Sequence, residues 1–530
     1  MVDLATFAGP FLPEILLLAG TLLVFLLDVL GIRRIEVTGS VALGATSLAL
    51  LFVLADLGFA PIAGLRTIPA GQVDAIVAGA TPLYSFTSLG FVFQAIFLIA
   101  ASLVSLASMS RPTDERGAPI FYGLLLLATL GMLLVAIASD LIFLLLSIEV
   151  TSVSTYLLVG YTRRDVRSLE AAMKFYIIGA LSTTLSFFGA SLLYGAYGTT
   201  NLYAIRSVAG AVGYPVLVLL GYGFLLAGLA FKATLVPFHA WAVDVYDGAP
   251  SDVTAFLTGA SKKVGLFAFF LVFLGPVLFL APGAGGSPFA GGTLDLGPIV
   301  QVTLAVLAVV TMTVGNVLAL LQKEMKRMLA YSSISQAGYM LIGIAIGTSP
   351  AIAGATLQMF AHVFMKTGAF LVVAGAATLG VGPLIEDWKG LGTRRPLLGV
   401  AFGLMLLSLA GVPLTIGFVS KFVLFSAAVE AQGYFVWLAV AGLLNSALSV
   451  FYYARVLRVM FFDSSDPGTL PAGAVAGGAG PPALPAGGLG YPRAVAIGLI
   501  AVAIVAFGIY PQPVLSGIQT AAQHFLAAGA

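Results

Sequence analysis

The chain has 530 residues, of which 60% are hydrophobic and only 9% charged, with a mean hydropathy of +1.08. Soluble domains carry about 25% charged residues, so this composition is that of a polytopic membrane protein. The absence of cysteine excludes thiolate-held zinc, iron–sulfur clusters and disulfides, three histidines leave few options for haem, and a net charge of +2 gives no sign of nucleic-acid binding.

The amino terminus, MVDLATFAGPFLPEILLLAG, has neither a basic leader nor a small-residue cleavage site and reads as the first membrane span. Apolar runs long enough to cross about 30 Å of hydrocarbon then recur near 10–30, 38–58, 86–108, 119–138, 140–161, 171–195, 215–240, 252–280, 297–321, 328–348, 351–380, 396–428, 432–458 and 492–512. These runs predict an all-α membrane protein of about fourteen transmembrane helices. The Gly-rich stretch near 282–294 carries no phosphate-binding signature, and the Gly/Pro/Ala-rich segment 464–491 reads as a surface loop.

Basic residues orient these spans, because Lys and Arg accumulate in cytoplasmic loops. Arg33, Arg34, Arg111, Arg116, Arg163, Arg164, Arg167, Lys323, Lys326, Arg327, Lys389, Arg394, Arg395, Arg455, Arg458 and Arg493 follow odd-numbered helices; only Arg66 and Arg206 follow even-numbered ones. Odd-numbered loops are therefore expected in the cytoplasm, with both termini on the opposite side. The remaining basic residues, Lys174, Lys232, Lys262, Lys263, Lys366 and Lys421, fall inside predicted spans, and none is Arg. A cation at mid-bilayer costs about 2.5–3.5 kcal/mol even on lenient insertion scales. Snorkelling would accept either residue, whereas a proton carrier needs an amine that can release its proton, which guanidinium cannot. Among the acids, Glu149 alone is expected deep in a span. Asp28 and Asp140 lie near helix ends, and Asp244, Asp247 and Asp252 are expected to solvate a loop or meet a partner subunit.

The lysines also outline an internal repeat. Met173-Lys174 precedes Lys232 by 58 residues, and Met365-Lys366 precedes Lys421 by 55. Pro237 interrupts helix 7, and Pro413 with Gly411 and Gly417 interrupts helix 12, so each half has one broken helix bearing a lysine. An offset of five helices makes the second unit upside down relative to the first, as in transporters with discontinuous helices at mid-membrane. The expected organisation is helices 1–3 in 1–118, a first inverted repeat of helices 4–8 in 119–281, a second of helices 9–13 in 282–460, the loop 461–491, and helix 14 with its tail in 492–530.

RSLEAAMKFYIIGALST, SLLYGAYGTTNL, FKATLVPFHAWAVDVYDGAPSDVTAFLTGASK and RMLAYSSISQAGYM resemble the antiporter-like membrane subunits of respiratory complex I, a family shared with Mrp-type cation/proton antiporters and membrane-bound hydrogenases. The resemblance covers about residues 85–460 and is nearest to the subunit N (ND-two) type. It implies a proton-translocating membrane-arm subunit of NADH:quinone oxidoreductase, in a bacterial plasma membrane or an equivalent energy-conserving membrane. Glu149 would be the helix 5 glutamate paired with Lys232, Lys174 the modulating lysine, Lys262 the central relay and Lys421 the terminal proton site; a sister subunit carries glutamate at that last place. No metal or cofactor site is implied in this chain: NADH, FMN, iron–sulfur clusters and quinone are expected in partner subunits. The expected partners are neighbouring membrane-arm subunits and lipids.

Other residues remain open between relay and packing. Lys263 lies about 100° around the helix from Lys262 and could point to a neighbouring helix. His239, beside the break and Trp241, is either near the path or a packing residue. His362 and Lys366 share a helical face at i,i+4. Tyr331, Ser332, Ser333 and Ser335 could carry a water chain or back-bond within their own helix. Lys174 has Glu170 one turn before it, a common stabilising pair. The alternatives in function are an Mrp-type antiporter subunit, a membrane-bound hydrogenase, or another donor:quinone oxidoreductase. A solute symporter would need a polar substrate pocket, and a purely structural anchor would tolerate loss of every buried lysine.

Overall fold

A computed structural model describes residues 9–68, 73–74, 82–111, 117–163, 165–208, 214–278, 296–463 and 488–527. Arg116, Arg164, the stretch near 282–294 and most of the 461–491 segment lie outside the described residues.

The observed helices are α1 (Leu12–Val29), α2 (Ile35–Asp56), α3 (Ser88–Ser108), α4 (Ala118–Ala136), α5 (Leu141–Val159), α6 (Val166–Tyr197) and α7, split into Pro215–Ala233 and Ala240–Gly248. They continue with α8 (Ser251–Leu274), α9 (Leu296–Leu320), α10 (Met325–Ile346), α11 (Ser349–Thr378) and α12, split into Pro396–Ala410 and Ile416–Glu430. The chain closes with α13 (Phe435–Phe461), α14 (Tyr491–Ile509) and α15 (Gln512–Ala527). Among the described residues thirteen helices are long and apolar enough to cross a membrane, and the two halves of α12, 15 residues each, are shorter than these. Each five-helix group, α4–α8 and α9–α13, has its fourth helix broken.

Local chemistry fixes many of the ends. Asp140, expected near a helix end, is buried there and caps α5 by accepting from the backbone N–H groups of Ile142 (2.8 Å) and Phe143 (3.1 Å). Asp165 caps α6 in the same way, and Gly198 ends it in the left-handed conformation that a residue without Cβ adopts freely.

Burial is graded across the bundle. Helices α8, α10 and α11 are almost wholly enclosed, whereas α1, α2, α6 and α14 keep wide apolar faces such as Leu22, Leu181 and Val502 outward, as lipid-facing helices do. The three enclosed helices carry Lys262, Lys263, Ser332, Ser333, His362 and Lys366, so the polar residues of the sequence concentrate at the centre. Inside α8 the turn Leu257–Ser261 is π-helical, and inside α11 so is Val363–Thr367; the two turns pack against each other. Neither was anticipated, because the apolar pattern does not reveal one extra residue in a turn.

One expectation is extended and one is corrected. The tail after α14 contains a further helix: α15 is amphipathic and packs on α3 and α11, with His524 Nδ1 3.0 Å from Asp74 Oδ2. Buried cations inside spans are not exclusively lysine. Arg493, read as a loop residue, is buried in the first turn of α14, where its guanidinium pairs with buried Asp252 at 3.3 Å. A single charged residue at the end of an apolar run cannot be assigned to loop or core from sequence, since its partner is 241 residues away.

Candidate functional site: a buried row of lysines between two broken helices

The first element is the end of the leading half of α7. Thr234 is left-handed (φ 60°) and the Val236–Pro237 peptide is cis. The freed backbone groups find partners on neighbours: Trp241 Nε1 donates to the Phe231 carbonyl at 3.2 Å, and the Val236 N–H to Thr311 Oγ1 at 3.1 Å. Lys232, in the last turn before this break, is 5% exposed, and its Nζ donates to Ser152 Oγ of α5 at 2.9 Å.

Glu149 stands one turn before Ser152 on the same side of α5, where it accepts from Thr183 Oγ1 of α6 at 2.5 Å. The expected direct ion pair is absent: no nitrogen–oxygen contact within 4.0 Å joins Glu149 and Lys232. Both instead line one narrow cleft with Ser152, Tyr156, Ser182, Thr183 and Ser186. The hydroxyls of α5 and α6 out-compete the carboxylate–ammonium contact in this arrangement, and each charge keeps a hydrogen-bonding partner.

Beyond Lys232 the row passes to α8. Gly265 allows the approach: a Cβ there would lie 2.5 Å from the Ala233 nitrogen and 2.7 Å from the Lys232 carbonyl carbon. Lys262 and Lys263 are both buried and both point into the protein, but toward different helices. Lys262 Nζ donates to the Ser333 carbonyl of α10 at 2.5 Å, with Ser333 Oγ at 3.2 Å. Lys263 Nζ donates to the carbonyls of Thr258 (2.7 Å) and Gly259 (2.5 Å), which the π turn leaves available, and lies 3.0 Å from His362 Nδ1 of α11.

His362 and Lys366 do not bond to each other, because the π turn between them alters the expected i,i+4 geometry. Lys366 Nζ reaches α10, donating to the Leu329 carbonyl at 2.9 Å and to Ser332 Oγ, which itself back-bonds to the Leu329 carbonyl at 2.9 Å. Tyr331 is half-buried and packs against the apolar core.

At the second break, Gly411 is left-handed (φ 91°), and a Cβ there would stand 3.1 Å from Lys421 Cδ. Pro413 is exposed in the connection. Lys421, in the second half of α12, donates to the freed carbonyls of Leu409 (2.9 Å) and Ala410 (3.0 Å) and to Ser446 Oγ (2.9 Å), with Nζ 5.0 Å from the Tyr339 ring centroid. It borders an open groove lined by Phe418, Phe422, Phe425, Leu443 and Ser446. The two breaks thus use their lysines differently: Lys421 caps carbonyls of its own broken helix, whereas Lys232 reaches across to α5.

Sequence reasoning missed the link between the centre and Lys421. Gln358 Nε2 of α11 donates to Gln336 Oε1 of α10 at 2.6 Å, and Ser420 Oγ of α12 donates to Gln358 Oε1 at 2.5 Å. Gln336 Nε2 lies 3.4 Å from the Leu409 carbonyl that Lys421 also contacts. The available signal was two glutamines inside apolar spans, where an unsatisfied amide is costly.

Two other expected residues are only partly buried. Lys174 is 42% exposed in its side chain, paired with Glu170 at 2.8 Å and with Asp244 at 2.9 Å; Asp244 also accepts from Arg327 at 3.2 Å. Asp244 therefore ties α6, the second half of α7 and α10 together, in place of merely solvating a loop. His239 is half-buried just before Ala240–Gly248 and has no protein partner at Nδ1.

An enclosed set of amines, a histidine and hydroxyls between two helix breaks can accept and release protons, and the chain that holds it is similar to known proteins. Residues 138–449 match the family model described as NADH:quinone oxidoreductase/Mrp antiporter, TM. An F(420)H(2) dehydrogenase subunit N of Methanosarcina mazei is 39% identical over 460 residues, 85% of this chain and 88% of that protein. An NADH-quinone oxidoreductase subunit N of Trichlorobacter lovleyi is 41% identical over 411 residues, covering 76% and 79%. A chain of respiratory complex I from Thermus thermophilus matches the fold with a TM-score of 0.72 at 29% identity, over 95% of this chain and 98% of that one. This chain belongs to the NADH:quinone oxidoreductase/Mrp antiporter membrane family.

Proposed function

We propose that the chain is a proton-translocating membrane-arm subunit of an NADH:quinone oxidoreductase, in which other membrane subunits are its neighbours and electron transfer in partner subunits supplies the energy. The observation that carries this reading is the buried row Lys232, Lys262/Lys263, Lys366 and Lys421, which runs from one broken helix through the three enclosed helices to the other.

The Glu149 carboxylate stabilises the Lys232 ammonium when the two approach across their shared cleft and ceases to do so when it turns to Thr183. With Glu149 on Thr183, Lys232 hands its proton toward Lys262. The proton then passes through Lys263 and His362 to Lys366, and onward to Lys421 and the non-cytoplasmic side. Moving one charge against 100 mV needs about 2.3 kcal/mol. A change of less than two units in the proton affinity of one amine, at about 1.36 kcal/mol per unit, covers it. Odd-numbered loops face the cytoplasm on this reading, and Lys174 tunes the entrance through Glu170 and Asp244. The redox groups (NADH, FMN, iron–sulfur clusters and quinone) belong to partner subunits; a chain without cysteine offers no thiolate for a cluster.

A second reading differs only in the electron donor. The Methanosarcina mazei relative is named for F(420)H(2) and not for NADH, so the same membrane subunit can serve another donor:quinone oxidoreductase. Proton uptake per electron in sealed vesicles tests the shared core of both. Glu149→Ala should lower it to a small fraction of the wild-type value, and undiminished pumping in that variant would refute the assignment.

A further inference from the structure

Helices α1–α3 precede the family-matched region, and within them lies a buried acid that the lysine row does not use. Glu14 sits in the first turn of α1 with 5% of its surface exposed; Gln94 of α3 is fully buried. Gln94 Nε2 donates to Glu14 Oε1 at 2.7 Å, with the Leu133 carbonyl of α4 at 3.4 Å. The remaining polar atom of each group, an oxygen in both, is buried and without a protein partner: Glu14 Oε2 and Gln94 Oε1.

Two orphaned acceptors on a pair already joined through its other atoms have a common remedy. A carboxylate has no hydrogen to give, and an amide oxygen has none either. One proton on Glu14 Oε2 turns that atom into a donor, and Gln94 Oε1, whose amide nitrogen already holds the other carboxyl oxygen, is an acceptor that needs one. The end of a helix where Glu14 sits does favour an anion, but that preference is small beside the cost of an uncompensated buried charge. Asp56, at the end of α2, is engaged elsewhere, accepting from the Thr67 and Ile68 backbone N–H groups and from Thr67 Oγ1.

We propose that Glu14 is a proton-binding site separate from the lysine row, held as a neutral carboxylic acid in a two-bond pair with the Gln94 carboxamide that latches α1 to α3. The pair donates in both directions, Nε2–H to Oε1 and Oε2–H to Oε1 of the amide, and leaves no polar atom of either group unmatched.

Infrared difference spectroscopy on the full-length protein in its native assembly tests this, comparing wild type with Glu14→Gln at neutral pH. Glutamine keeps the shape and can pair amide to amide, so folding is preserved. The expected result is a protonated-carboxyl C=O stretch that is present in wild type and lost in Glu14→Gln. Gln94→Leu should move that stretch to higher frequency, because its C=O no longer accepts from the amide. If the Glu14→Gln difference contains only carboxylate bands, the proposal is overturned; an acid band that Gln94→Leu leaves unmoved overturns the pairing.

Discussion

Lys263 Nζ lies 3.0 Å from His362 Nδ1, and these two residues flank the π turns of α8 and α11 that pack against each other at the centre of the protein. Each π turn frees or displaces groups that a regular helix would keep in its own ladder. Thr258 and Gly259 offer their carbonyls to Lys263, and Lys366 swings to α10 instead of to His362. The close contact depends on Gly259, where a Cβ would collide with Thr367 Oγ1.

Because Lys262 and Lys263 reach different helices, each should be required. Lys263→Met and Lys262→Met should both reduce proton uptake per electron by about 10²-fold, the low end of what a positioned acid–base group contributes. A Lys263→Met variant that pumps like wild type would reduce Lys263 to a fastener of the π turn.

Lys421→Met should separate function from stability. Removing a buried ammonium that has no anionic partner relieves its desolvation cost, and the Leu409 and Ala410 carbonyls keep contacts from Gln336 Nε2 and Ser446 Oγ. The expected pattern is therefore an unchanged or raised melting temperature with proton pumping lost, read by thermal denaturation and by a pH-sensitive dye in vesicles. Loss of both together would mark Lys421 as a cap for the Leu409 and Ala410 carbonyls and nothing more.

Gln358→Leu strands Gln336 Oε1, an unsatisfied buried group that costs about 1–3 kcal/mol, and leaves Ser420 Oγ only its 3.2 Å bond to the Gly417 carbonyl. The double variant Gln336→Leu/Gln358→Leu should regain much of that stability. If the glutamines position the second break for Lys421, the double variant will stay impaired in pumping while folding normally. Recovery of both properties would confine the glutamines to packing.

Gly265→Val places a side chain against the α7 backbone at Lys232 and Ala233. Overpacking of this kind costs about 1–3 kcal/mol. It should also widen the step from Lys232 to Lys262, so proton transfer should fall more steeply than stability, whereas Gly223→Val, with open space at its Cβ position, should leave both unchanged.

The spans, the two breaks and the lysines inside them were legible in the sequence for physical reasons. A membrane forces about 20 apolar residues per crossing, so each crossing announces itself. A cation or a proline within such a run is too costly to be incidental. Sequence alone thus determined an all-α membrane protein with charged residues at two interrupted helices. Pairing was decided only by the tertiary structure. Glu149 binds Thr183 and not Lys232, Lys263 joins His362, Asp252 finds Arg493, and Gln358 bridges three helices. A hydrogen bond depends on positions to within a few tenths of an ångström, and those are set by how distant helices pack, by glycine contacts and by π turns, none of which leaves a period in the chain.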